Sequence, residues 1–293
     1  MIGGAGAKQG GVLTGICAAL LAVWLASMVV SAALPGSALG TAGAALVAFS
    51  LLLFVILHAA QSYGWRGMAA YLVLSVLVSL GFEASSVANG FPFGFYVHHT
   101  PGPRLFEIPL PVVLGYAVYG WFAWVLACLT VRNDPADDDP LARFGTPLVA
   151  AFVLAGWDYA FDAIGAVVAH THTYRYPSGL MGVPLVNFFG WLLTGWVAFQ
   201  LFALLEGRFR RPPTLARTGH WIMPCLVWLL MPVAYFVQFA KAPAGTSTVG
   251  GRTFVIADVY EAAAAISLIS MVLPAIVALL RFFAARQRSR AAI

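Results

Sequence analysis

Four polar residues sit inside otherwise apolar stretches, and their types and spacing point to proton chemistry. Asp158 and Asp162 lie in Trp157-Asp158-Tyr159-Ala160-Phe161-Asp162, four positions apart, which puts both carboxyls on one face of a helix. Glu83 closes an earlier apolar run, and Asn187 opens a later one in Pro184-Leu185-Val186-Asn187-Phe188-Phe189-Gly190-Trp191. Carboxyls inside membrane segments are costly and usually functional. Apolar surroundings favour the protonated form of a carboxyl, and two that share a face can hold one proton between them. Glu83, with Asp258 and Glu261 at the start of the last run, also has a plainer reading as a helix-end group meeting headgroup water.

The elements that must position these residues are membrane helices. Of 293 residues, 61% are hydrophobic and 9% are charged. The mean hydropathy is +0.87. A soluble domain carries about a quarter charged residues, so the composition excludes an ordinary cytosolic enzyme, a disordered chain and a secreted disulfide scaffold. Cys17, Cys128 and Cys225 each lie in an apolar run and read as small buried hydrophobes. Apolar runs of bilayer length fall at 12–33, 39–60, 67–87, 109–131, 145–169, 184–206, 220–240 and 257–283. They predict an all-α, polytopic transmembrane helix bundle of about eight spans, one integral membrane domain over 1–293.

Twelve of the sixteen Lys and Arg fall on the side of the termini, leaving Arg104, Arg175, Lys241 and Arg252 on the other. By the positive-inside rule both termini are expected in the cytoplasm. The basic residues form short flanks, so no nucleic-acid partner is expected. At 1.5 Å per residue, Glu83 and Asp162 stand about 25 Å and Asp158 roughly 20 Å above the cytoplasmic end. Asn187 and Glu261 are within about 6 Å of the starts of helices running the other way. One polar pocket in the outer half of the membrane is the expectation. Loops on the same side, at Asn89–Thr100 and His170–Pro184, are dense in Gly, Pro and aromatics and suit a rigid lid over an apolar ligand.

Four blocks carry a family resemblance. Glu83 is followed by Gly90-Phe91-Pro92-Phe93-Gly94-Phe95-Tyr96; Gly102-Pro103-Arg104-Leu105-Phe106 precedes Ile108-Pro109-Leu110. Trp157-Asp158 stands with Asp162, and Gly182-Val183-Pro184-Leu185 with Asn187, Phe188, Gly190 and Trp191. Across residues 80–195 the chain resembles the membrane carotenoid biosynthesis proteins of the carotenoid 1,2-hydratase and bisanhydrobacterioruberin hydratase type. It departs at Asp162-Ala163, where the family often has Asp-Pro, and at Tyr174-Arg175-Tyr176, where it often has Trp-x-Trp. The resemblance implies addition of water across the terminal C1–C2 double bond of an acyclic carotenoid end (lycopene, gamma-carotene or a related chain), without metal or organic cofactor. It also implies a multi-pass protein of the bacterial inner (plasma) membrane. The partners would be a lipophilic isoprenoid, the lipid bilayer and other carotenoid enzymes.

That chemistry suits the residues. Asp158 is the expected general acid, Asp162 or Glu83 the acceptor of the proton from the attacking water, and Asn187 the group that orients it. The tertiary cation formed on the way would be steadied by aromatic faces, for which Trp157, Tyr159, Trp191, Phe95 and Tyr96 are candidates. Phe93, Tyr174 and Tyr176 in the lid loops complete the expected substrate wall. Other chemistries use the same residue types. A terpenoid cyclase protonates the same olefin. A prenyltransferase or lycopene elongase would read Asp158-x-x-x-Asp162 as a magnesium–diphosphate motif, with the acidic loop 134–139 as its second cluster. His98, His99, His170 and His172 would gather round iron in an oxygenase. A transporter would use the carboxyls as a proton relay.

Overall fold

In the computed structural model, which describes residues 3–132, 139–177, 179–209, 215 and 217–291, the longest helix is two spans folded at one glycine. Helix α2 (Ala38–Asn89) contains Gly64 at φ 72° and ψ 172°, a conformation that Gly alone adopts readily. Leu51 and Glu83 line the same cavity, whereas an unbroken helix would hold them about 48 Å apart. The two halves therefore run back to back, as the separate apolar runs at 39–60 and 67–87 predict. Ser37 starts the helix by accepting from Gly40 N at 2.9 Å, and Gly90, at φ 84°, ends it in the left-handed region.

The protein is an all-α, polytopic membrane bundle. Seven helices among the described residues are long and apolar enough to cross a bilayer, and the fold at Gly64 makes two passes of one of them. Before α2 comes α1 (Gly3–Ala33). After it come α3 (Leu110–Val131), α4 (Pro140–Ala163, continued by a π turn to Val168) and α5 (Leu185–Glu206). The span predicted at 220–240 is α6 (Thr218–Leu230) followed by α7 (Pro232–Ala240), interrupted where Pro232 has no N–H to give. The last span is α8 (Ile256–Ser267), a π turn, and α9 (Leu273–Ala291). Asp139 caps α4 by accepting from Ala142 N at 2.7 Å. The rest of the acidic loop, 133–138, lies outside the described residues, so the second acidic cluster of the prenyltransferase reading does too.

Helix α3 is the axis of the core. It packs against α2, α4, α6 and α9, and its side chains are buried almost without break from Tyr116 to Leu129. Buried charge is paired, as it must be in a low-dielectric interior. Arg132 Nη2 meets Glu206 Oε1 at 2.5 Å, with Tyr63 and Thr146 completing the cluster, so four spans are tied at one end.

Among the described residues, three short antiparallel strand pairs lie outside the helices. Strand β1 (Tyr96–His98) pairs with β4 (His172–Tyr174), β2 (Arg104–Leu105) with β3 (Ile108–Pro109), and β5 (Thr246–Val249) with β6 (Arg252–Val255). The β1–β4 register sets Tyr96 opposite Tyr174 and His98 opposite His172. Arg104 fixes this ribbon by donating to the carbonyls of His98, Thr100 and Glu107 at 3.0–3.1 Å.

Candidate active site

A cavity of about 670 Å³ lies under the β1–β4 ribbon, within the size range of small-molecule sites. Its long wall is apolar: Ala45, Ala48, Leu51 and Leu52 from the first half of α2, and Val112, Leu114, Gly115 and Val118 from α3. Phe49, Leu114 and Phe161 line it and are 63%, 37% and 40% exposed. The cavity is partly open to the outside of the bundle. No Lys or Arg is among the described residues that line it.

The polar groups gather at the closed end. Asp158 and Asp162 point in from α4 with Asn187 facing them from α5, all three buried. Asn187 Nδ2 donates to Oδ2 of both aspartates at 3.0 Å, so those two oxygens are no farther apart than twice that distance. Both N–H groups of the amide are spent in this way. Asn187 therefore bridges the acid pair. Tyr174 donates to Asp162 Oδ2 at 2.7 Å. His172 Nε2 lies 2.8 Å from Asp162 Oδ1, an ion-pair contact when the ring is protonated. Burial alone would pull the His172 imidazole below its ordinary value, but the Asp162 carboxylate, with Glu83 behind it, outweighs this and holds it above.

Glu83 forms a second acid station on the second half of α2. It accepts from Tyr116 at 2.9 Å, from the Tyr96 hydroxyl, and from His98 Nε2 at 3.2 Å. Burial, then the adjoining carboxylates, pushes the phenols of Tyr96 and Tyr174 well above their usual range, so both remain neutral donors. Aromatic rings line the space between the stations and the apolar wall. Trp191 stacks on Tyr116 with centroids 4.1 Å apart, and Trp157 is sandwiched between Tyr119 at 4.1 Å and Phe161 at 4.7 Å. The glycines make room for this packing. A Cβ on Gly190 would fall 2.3 Å from the Phe93 ring, and one on Gly165 would fall 2.9 Å from His172.

Residues 36–257, most of the chain, match the family model described as carotenoid biosynthesis protein. The chain belongs to the carotenoid biosynthesis protein family. Among its relatives is a bisanhydrobacterioruberin hydratase from Haloarcula japonica, 33% identical over 135 residues. That match covers 45% of this chain and 43% of the relative, so the chain spans less than half the length of the relative it matches. No solved structure shows significant similarity.

This member of the carotenoid biosynthesis family brings Glu83, Asp158, Asp162, Asn187, Trp157, Trp191, Tyr96 and Tyr174 to one cavity. Four of the expected substrate contacts lie elsewhere. Phe93 is fully buried behind Tyr96, Tyr116 and Trp191, supporting the wall without lining it. Phe95 packs on Gly90 and under the Arg175 guanidinium. Tyr159 turns to the other side of α4, where it stacks on Phe188 at 3.9 Å. Tyr176 is 66% exposed, beyond the end of β4 at Tyr174, where the strand no longer sets its direction. Asp258 and Glu261 are exposed at the start of α8 and take no part in the pocket. The four loop histidines divide: His98 and His172 face the cavity, while His99 binds Thr173 and His170 lies beside Ser247.

Tyr116 and Tyr119 were not legible as site residues. Their signal in the sequence is faint: two hydroxyls inside the apolar run 109–131, on a helix whose other polar atoms are few.

Proposed function

We propose that the protein is a carotenoid hydratase that adds water to the terminal C1–C2 double bond of an acyclic carotenoid end. The observation that carries this reading is the carboxyl pair Asp158–Asp162, held by one amide in a mostly apolar, partly open cavity. A hydrocarbon needs no charged partner, and the described lining residues include no Lys or Arg to hold a diphosphate. The kinship with a relative named as a hydratase supports the same class of reaction.

In this scheme the isoprenoid end enters sideways past Phe49 and Leu114 and lies along α3. The Asp158–Asp162 pair, carrying one proton, gives it to C2 of the double bond. The π electrons form the new C–H bond and leave a tertiary cation at C1. The faces of Trp157 and Trp191 stabilise that charge without trapping it. A water molecule bonds to C1, and Glu83, steadied by its two tyrosines, takes the released proton. The product is a tertiary alcohol. The membrane in which this takes place is read as the bacterial inner membrane, with both termini in the cytoplasm.

The experiment is expression in a lycopene-producing host, followed by pigment chromatography and mass spectrometry. A product heavier than lycopene by one water supports hydration. An isomer of unchanged mass would make the protein a cyclase, and unchanged lycopene would remove the proposal.

A further inference from the structure

We infer that His98 and His172, side by side across the β1–β4 ribbon, form the path by which a proton returns from Glu83 to the Asp158–Asp162 pair between turnovers. This rests on the hydration reading and deepens it.

The need follows from the balance of the reaction. Hydration consumes no proton overall, but it moves one. The acid pair loses an O–H as C2 gains a C–H, and the water loses an O–H as C1 gains a C–O. The cycle therefore ends with Glu83 protonated and the aspartate pair one proton short. A second turnover requires that proton to travel back. Asn187 touches both aspartates but is an amide, which donates hydrogen bonds without giving up its protons. Tyr96 and Tyr174 hold theirs too tightly.

The histidines have the right chemistry and the right places. An imidazole takes a proton on one ring nitrogen and releases it from the other. His98 Nε2 lies 3.2 Å from Glu83 Oε2, and His172 Nε2 lies 2.8 Å from Asp162 Oδ1. The two ring centroids are 6.5 Å apart, a gap that one bridging water spans. The Thr171 hydroxyl sits 3.2 Å from His172 Nδ1. Both side chains are mostly buried, at 7% and 11% exposure. The strand register is what makes the path: it sets His98 against His172 although each serves a carboxylate on a different helix. The titratable groups facing the pair are Glu83 from α2, Asp158 and Asp162 from α4, and Tyr96 and Tyr174 from the ribbon itself.

The test compares wild type, H98Q, H172Q and H99Q in liposomes loaded with lycopene. Product is followed in a first turnover, with enzyme in excess, and in steady state. For H98Q and H172Q steady-state turnover should fall about tenfold or more beyond whatever change the first turnover shows. Added imidazole should restore much of that loss in either variant, and H99Q should match wild type throughout. An unchanged steady state in both H98Q and H172Q would overturn the relay. So would an equal fall of first and later turnovers without rescue by imidazole, which marks a structural role. Wild type that fails to take up oxygen from labelled water overturns the hydratase reading, and the relay with it; hydration by wild type with unaffected variants overturns the relay alone.

Discussion

Tyr96 and Tyr174 face each other across the β1–β4 ribbon, with ring centroids 5.8 Å apart, and each donates its hydroxyl to a different acid. Tyr96 serves Glu83 on α2, and Tyr174 serves Asp162 on α4. Three residues of strand on each side thus bring carboxyls from two helices to one apolar cavity. The ribbon is more than a cover, since it supplies donors that make the burial of two of the three acids tolerable, Asn187 serving Asp158.

Asp158→Asn should leave a folded, membrane-inserted protein and abolish hydration. The amide fills the same space, but it has no proton to give. The expected fall in product is about a hundredfold or more, measured by pigment chromatography in the lycopene-producing host. Full activity would remove Asp158 from the mechanism.

Asn187→Ala should cost stability as well as activity. Two buried carboxyl oxygens would lose their shared donor, at about 1–3 kcal/mol for a buried acceptor left unsatisfied. A drop in the thermal midpoint in detergent is the check.

Tyr174→Phe and Tyr176→Ala form a contrast. The first removes the 2.7 Å bond to Asp162 and should slow hydration markedly. The second removes an exposed ring and should leave the rate within about twofold of wild type. Equal effects in the same host assay would put Tyr176 back among the substrate contacts.

Gly64→Ala should destabilise the fold at the turn inside α2. At φ 72° and ψ 172° a Cβ is strained, at a cost of about 1–3 kcal/mol. Lower yield of folded protein, seen as a smaller monodisperse peak after extraction, is the expected outcome.

His172 should make stability depend on pH. Its folded value lies above the ordinary 6.5 because Asp162 outweighs burial. A raised folded value means that the contribution is full below the unfolded value and is lost as pH rises through the folded one. Wild type should therefore lose stability relative to H172Q as the pH is raised above about 6.5, measured as the difference in thermal midpoint across the series. A difference that stays flat with pH would show that folding leaves the proton affinity of this imidazole unchanged, against the raised value.

Much of the architecture was legible because it is written locally. The run of apolar residues, the capping Ser37 and Asp139, and the glycines that end spans act over a few neighbours. The spacing of Asp158 and Asp162 likewise announced a shared helix face. Rotation about the helix axis was not legible. Tyr159 sits between two cavity residues in sequence, yet it points away from them, and a uniformly apolar span gives no amphipathic stripe to reveal which side faces in. Asp258 and Glu261 looked like pocket acids by depth, but depth says nothing about direction.

From the order of its residues alone, the protein had to be a membrane bundle with acids at one depth, because hydropathy and helical rise accumulate along the chain. Which acids share a cavity was settled only by packing. The fold-back at Gly64 carries Glu83 to the level of Leu51, and strand pairing joins residue 96 to residue 174. Both depend on contacts between segments far apart in the chain, where each partner's position is set by everything packed around it.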